Sequence, residues 1–173
     1  MVWEALNLKG VFKMKSTPMI GEVYMMNFQG IGCEQLGWRP GVVFQNNIGN
    51  FHSPNIIAIP LTTAIKKVRQ PTHVILSERN TGLNKSSMAL CESLQCLSKE
   101  RLGRYITTLP ANYMREIAIA LLSATAALSF LSEDDLSTVH QKALYLNPAV
   151  QTTTDESFIR KKKHLISNTI LSQ

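Results

Sequence analysis

Through the first two thirds of the chain apolar side chains alternate with polar ones or run in short blocks, and only near residue 110 does the spacing lengthen to that of a helix. Glu22 to Phe28 (EVYMMNF) sets Val23, Met25 and Asn27 on one face and Tyr24, Met26 and Phe28 on the other. Both faces are largely apolar, which predicts an internal strand. A glycine-bounded stretch, Gly30 to Asn50, follows. It turns at Gly37-Trp38-Arg39-Pro40 and feeds a second strand, Gly41 to Gln45. Asn46 to Pro54 (NNIGNFHSP) is a cluster of turn residues and predicts a loop.

Asn55 to Leu61 reads as a third strand, in which Pro60 fits an edge or a terminating position because proline has no N–H to give a ladder. Thr62 and Thr63 then lie just past the strand, where a hydroxyl can face a cleft. Thr72 to Leu76 is a fourth strand, Asn80 to Ser87 a run of turns, Ser87 to Leu97 one strand or two joined by a kink, and Arg104 to Thr107 a short last strand. Six short strands with short connections predict a compact twisted sheet or a small barrel.

Pro110 at an N1 position opens the strongest helix, with Met114, Ile117, Ala118, Leu121, Leu122, Thr125 and Leu128 at helical spacing. Its opposite face holds Ile119, Ala120, Ala124 and Ala127, so it calls for cover on both sides, from a dimer partner or from the C-terminal tail. Glu133 to Leu146 predicts a second helix, capped by Ser132 and with Glu133, Asp134 and Asp135 against the positive end of its dipole. Phe158 to Leu171 is a further short helical segment carrying Arg160, Lys161, Lys162 and Lys163. The division expected is an N-terminal arm over 1–20, a mainly β domain of α+β class over 21–131, and a helical C-terminal extension over 132–173.

Charge alters this picture little. The formal net charge is +6, with the excess in residues 1–131, which hold 13 Lys and Arg against 7 Asp and Glu. Such a body favours polyanions without saying which. Three cysteines and the lack of a signal-peptide pattern fit a reducing cytoplasm. The longest apolar run, Ile117 to Leu131, is short of the roughly 18 residues of a spanning helix and is interrupted by Ser123, Thr125 and Ser129, so no membrane partner is expected.

Known chemistries narrow by elimination. Cys33, Cys91 and Cys96 have no metal-ligand spacing, and there is no phosphate loop, dinucleotide fingerprint or nucleophile-elbow serine. Neither a metal nor a cofactor is expected. His73 alternates within a strand and reads as structural, whereas His52 lies in a glycine-bounded loop and stays open to a role. Arg39 taken alone is a surface arginine before a proline. Beside Glu34 and Gln35 it becomes a charged fork suited to gripping a phosphate.

A series of fragments tips that balance. Gly21-Glu22-Val23-Tyr24, Gly32-Cys33-Glu34-Gln35 with Arg39-Pro40, Gln45-Asn46, Ile48-Gly49-Asn50, Ser53-Pro54, Thr62, Pro71-Thr72-His73 and Leu102-Gly103 follow in order, and together they resemble the MazF/PemK family of toxin endoribonucleases. The resemblance covers about Gly21 to Leu128. It implies a small SH3-like, CcdB-type barrel with a C-terminal helix, a homodimer, and metal-independent cleavage of single-stranded RNA at short sequences. Products with 2′,3′-cyclic phosphate and 5′-hydroxyl ends imply attack by the ribose 2′-hydroxyl.

The family's catalytic arginine and threonine match Arg39 and Thr62, and the family's RNA-contacting positions match Gly32, Cys33, Glu34, Gln35, Pro40, Asn46, Thr63 and Glu92. A small dimeric antitoxin that binds DNA, its disordered segment filling the RNA groove, is the further partner implied. Arginine is a poor base, so the proton acceptor is open, with Glu34 a candidate as the loop's carboxylate. Three departures stand out. Cys33 replaces the usual serine, Leu36-Gly37-Trp38 replaces Gly-Gly before Arg-Pro and adds a stacking ring, and Gln95 stands where the family's Glu-Gln-x-Arg has its arginine. That last change leaves a second expectation, a toxin fold that binds RNA or, like CcdB, a protein without cutting.

Overall fold

The computed structural model describes residues 17–31, 35–65 and 70–146, with side chains of the last stretch through residue 143. Two units divide the chain, Met1–Phe130 and Leu131–Gln173. In the first, seven strands are described: β1 (Glu22–Phe28), β2 (Gly37–Val43), β3 (Asn55–Thr62), β4 (His73–Leu76), β5 (Ser87–Leu90), β6 (Gln95–Ser98) and β7 (Leu102–Thr108). They pair antiparallel in the order β4-β5-β3-β2-β1-β7, with β6 also on β3. The α+β, mainly β class holds, and β1 is internal as its two apolar faces require. The strand path itself is open, with β4 and β7 at its ends.

Two apolar clusters explain the curl of this sheet. One packs Val23, Val42, Ile59, Leu61 and Leu76 against Tyr113, Ile117 and Ala120 of helix α3 (Ala111–Ala124, numbered after the two short helices below). The other, Tyr24, Met26, Phe28, Val43, Ile56, Ala58, Leu97 and Leu102, is drawn from strands alone, so on that side the sheet must fold over itself to exclude water. Gly41 is what lets it do so. A Cβ there would stand 2.7 Å from Phe28 Cζ and 2.8 Å from Met26 Sδ, and both side chains are fully buried.

Four expectations are corrected. The second strand begins at Gly37, not Gly41, because Gly37 at φ +84° completes the turn and the backbone of Trp38 to Pro40 then pairs with β1. Asn46 to Pro54 is not a loop throughout. Asn46 Oδ1 accepts from Gly49 N at 2.8 Å and caps α1 (Asn47–His52), a case of turn-forming residues serving as helix signals. The count of six strands becomes seven, because Ser87 to Leu97 takes the second of its two expected forms and divides into β5 and β6 about a 3₁₀ turn at Cys91–Ser93. Pro110 is the residue before α3 rather than its first turn, and α3 stops at Ala124, short of Leu128. Among the predicted turns lies a one-turn helix, α2 (Glu78–Thr81).

Prolines set where the ladders of β3 stop. Phe44 N donates to Ile57 O at 2.9 Å, and hydrogen-bonded pairs recur at every second residue, so Val42 with Ile59 and then Pro40 with Leu61 come next. Pro40 has no N–H, and the last β2–β3 pair is Gly41 with Pro60. On the other edge Lys99 N donates to Pro54 O at 3.0 Å, and steps of two along β3 pass Ile56 and Ala58 to reach Pro60. There β6 has ended, and β5 takes over only at Leu61 and Thr62. Pro60 thus terminates a ladder, as expected, though on a central strand rather than an edge.

The second unit contains helix α4 (Glu133–Leu146). Ser132 Oγ accepts from Asp135 N at 3.2 Å while Asp135 Oδ2 accepts from Ser132 N at 2.9 Å, a reciprocal cap that the acidic first turn announces. Those bonds hold the exposed Asp135 carboxyl below its usual range. The predicted Phe158 to Leu171 helix, and the N-terminal arm as far as residue 16, lie outside the described residues.

Two substitutions test this reading. Gly41→Ala should cost about 1–3 kcal/mol in urea unfolding, because the buried Phe28 and Met26 must move. In Pro40→Ala the new amide should donate to Leu61 O and exchange with solvent on the order of tenfold more slowly than a free amide. A fast-exchanging amide at position 40 would mean that something other than proline ends the ladder.

Candidate active site

Just past the last β2–β3 pair, Gly41 with Pro60, stand Arg39 and Thr62. Carrying the β2–β3 register two residues further sets them across from each other. Alternation puts them on one face. Arg39 shares its side of β2 with Gly41 and Val43, and Thr62 shares its side of β3 with Ile56 and Ala58, all turned toward the strand-only cluster. Two residues that sequence reasoning singled out separately thus stand opposite each other.

The arginine is held by the end of its own loop. Its Nη1 donates to Gln35 Oε1 and its Nη2 to Leu36 O at 2.6 Å, contacts made possible by the reversal at Gly37. Nε is buried with no hydrogen-bond partner. A buried donor left unpaired costs about 1–3 kcal/mol, which an incoming anionic oxygen can relieve. Thr62 Oγ1 accepts from Ala64 N at 3.2 Å, and its hydroxyl hydrogen is left to donate.

Gln35 also lines a cavity of about 200 Å³ with Glu92, Ser93, Leu94 and Gln95. Glu92 is fixed there by His73, whose Nε2 lies 2.9 Å from Glu92 Oε1 while Nδ1 faces Gln70 N at 3.5 Å. With Nδ1 turned to a donor, Nε2 carries the hydrogen and gives it to Glu92. The ring is only 5% exposed, which fits the structural role expected for His73 but adds a purpose, the aiming of a carboxylate. Burial pushes the Glu92 carboxyl up. Its own backbone N–H and His73 outweigh that and leave it below the ordinary value of 4.5.

The other expected site residues are dispersed. Thr63 and Pro40 border a different cavity, of about 270 Å³, on the opposite side of the two strands. Asn46 spends its side-chain oxygen on the α1 cap. Gly32, Cys33 and Glu34 lie outside the described residues. His52 is exposed, its ring 4.9 Å from that of Phe51, and sits before the start of β3, roughly 20 Å of strand from Thr62. That position leaves it no part beside Arg39 and Thr62.

Cys91 is buried, with its thiol pushed up to about 12 by burial and then by the charge of Glu92, so it is no nucleophile. Among the described residues no three His, Cys, Asp or Glu side chains gather as a metal site, and no helix is long and apolar enough to cross a membrane. Sequence reasoning did not select Lys85 and Arg104, which line the second cavity. The only signal available for them was the general basic excess of residues 1–131.

Comparison with known proteins adds independent findings. The family described as PemK-like, MazF-like toxin of type II toxin-antitoxin system matches residues 20–125. An endoribonuclease MazF from Staphylococcus epidermidis is 38% identical over 102 residues, which span 58% of this chain and 85% of that protein. A MazF structure from Deinococcus radiodurans superposes with a TM-score of 0.55 at 26% identity, covering 62% of this chain and 96% of that one. An endoribonuclease solved with its cognate antitoxin from a Mycobacterial species gives 0.50 at 26% identity, over 66% and 98%.

Glu92→Gln tests how the site is held. The folded-state pKa of Glu92 lies below its unfolded value, so the stability it adds is fully present above pH of about 5 and is lost as pH falls through 4.5 and below. The melting-temperature gap between wild type and Glu92→Gln should therefore be largest near pH 6–7 and close in acid. A gap independent of pH would show that the His73 contact does not depend on the carboxylate charge.

Proposed function

This chain belongs to the PemK-like, MazF-like toxins of type II toxin–antitoxin systems, an endoribonuclease family, and on that footing we propose that it cuts single-stranded RNA at selected sequences by 2′-hydroxyl attack, without a metal ion. The observation that carries this reading is the placing of Arg39 and Thr62 across from each other at the end of the β2–β3 ladder, on one face.

In that reaction the 2′-oxygen bonds to phosphorus, the bond from phosphorus to the 5′-oxygen breaks, and a 2′,3′-cyclic phosphate and a 5′-hydroxyl result. Charge gathers on the non-bridging oxygens as the bond forms. The Arg39 guanidinium answers it with fixed positive charge and with the Nε–H that has no partner in the free protein. The Thr62 hydroxyl, which accepts from Ala64 N, donates its hydrogen to the same phosphate and fixes its angle. Glu92, ionised and aimed by His73, is a better acceptor for the N–H groups of a base than for a proton, because a low pKa makes a weak base. Water is displaced as the scissile phosphate binds at Arg39 and Thr62.

A second copy of the chain and an antitoxin complete the reading. Ile119, Leu122 and Leu128 are about half exposed and Phe130 is 82% exposed, an apolar strip that a homodimer contact would cover. The Mycobacterial relative is seen with its cognate antitoxin, and the same class of partner, a small protein whose extended segment occupies the RNA site, is proposed here.

The test is a purified protein, a single-stranded transcript and a chelator. Wild type is expected to leave cyclic-phosphate ends, Arg39→Ala to slow cleavage by about 10²–10³-fold, and Thr62→Val to slow it to a lesser degree. Cleavage by Arg39→Ala at the wild-type rate would remove the arginine from the mechanism. Wild-type protein that binds RNA and leaves it whole would favour a silent toxin fold, for which Gln95 in the family's arginine position is the supporting feature.

A further inference from the structure

On the side of β2 and β3 away from Arg39 and Thr62 lies the larger cavity, bordered by Met25, Pro40, Thr63, Asn84, Lys85 and Arg104 among others. Its lining contains two cationic side chains and no carboxylate. Lys85 and Arg104 are both exposed, and among the described residues neither has an ion-pair partner. Trp38 lies beside it on the same strand face as Pro40, one alternation along β2, and is 59% exposed.

A Cβ on Gly103 would stand 3.0 Å from Trp38 Cζ3, so the indole reaches the bare backbone of Gly103, next in sequence to Arg104, while more than half of the residue is exposed. Exposed aromatic surface next to cations without an ion-pair partner is the arrangement that single-stranded nucleic acid uses, one to stack a base and the other to hold backbone phosphates.

We propose that Trp38, Lys85 and Arg104 form a nucleotide-binding subsite for the single-stranded RNA on the face of β2 and β3 away from Arg39 and Thr62, with a base stacked on Trp38 and a phosphate held by Lys85 and Arg104. This rests on the endoribonuclease reading. It assigns RNA contacts to Trp38, where the family pattern has glycine, and to two cations outside the motif series.

The chain has two tryptophans, Trp3 and Trp38, so Trp3→Phe in the full chain leaves Trp38 as the reporter. The probe is a 2′-O-methyl oligonucleotide of the sequence found to be cut in a single-stranded transcript, or one of mixed sequence if nothing is cut. Expected are quenching of Trp38 emission on binding, about tenfold weaker binding in Trp38→Ala with near-normal binding in Trp38→Phe, and a salt slope lowered by about 0.7 in each of Lys85→Ala and Arg104→Ala. Circular dichroism checks that each variant is folded.

RNA that is cut and bound as before while Trp38 emission and the Trp38→Ala affinity stay unchanged overturns the subsite and leaves the proposed function standing. RNA neither cut nor bound by the wild type overturns both. Quenching by an acidic peptide but not by the oligonucleotide assigns this face to a protein partner and overturns the RNA assignment.

Discussion

The architecture of the candidate site follows from one missing hydrogen. Pro40 falls where β2 would next donate to β3, and without an N–H the ladder ends at Gly41 and Pro60. One backbone hydrogen bond contributes only about 1 kcal/mol net, so its loss is easily borne by a sheet buried on two sides. The geometric effect is larger than the energetic one. The ladder stops just before Arg39 and Thr62 and leaves the two side chains opposite each other where the pairing ends. Pro60 interrupts the other edge of β3 in the same way and frees the chain between β5 and β6 to make the 3₁₀ turn at Cys91–Ser93, which delivers Glu92.

The two faces of these strands differ in chemistry. One carries the Arg39 fork, the carboxamides of Gln35 and Gln95 and an ionised Glu92. Its groups are tied to the protein, Arg39 to Gln35 and Leu36, and Glu92 to His73. The other carries Lys85 and Arg104 with no carboxylate in the cavity lining. Held groups lose little freedom when the substrate arrives and so suit orientation and charge stabilisation. Exposed cations suit affinity, because each phosphate they neutralise releases counterions whatever the sequence.

The elements legible in the sequence were those whose patterns are local. β1 was read to its limits from two-residue alternation, and α4 with its cap from Ser132 and three acids. Arg39 and Thr62 were legible as motif positions, although nothing local says that they meet. Their meeting depends on a register fixed by pairs such as Val42 with Ile59, and so on contacts far apart in sequence. The same holds for His73 and Glu92, 19 residues apart and joined only because β4 and β5 pair side by side. α1 was missed because asparagine and glycine mark turns and helix starts alike, and which of the two Asn46 makes depends on the chain that follows.

Gln95 and Trp38 take on more meaning together than apart. Losing the family's arginine at position 95 removes a cation from the Glu92 cavity, which would weaken the hold on a phosphate there and leave a set of acceptors and carboxamides suited to a base edge. Gaining a tryptophan at position 38 adds stacking on the other side, where Lys85 and Arg104 already supply charge. Base stacking contributes about 1–3 kcal/mol per base, comparable with one charge-assisted hydrogen bond, so the second change is large enough to offset the first. On the proposed function, the pair of departures would move binding energy from one side of Pro40 to the other and leave the proposed roles of Arg39 and Thr62 untouched.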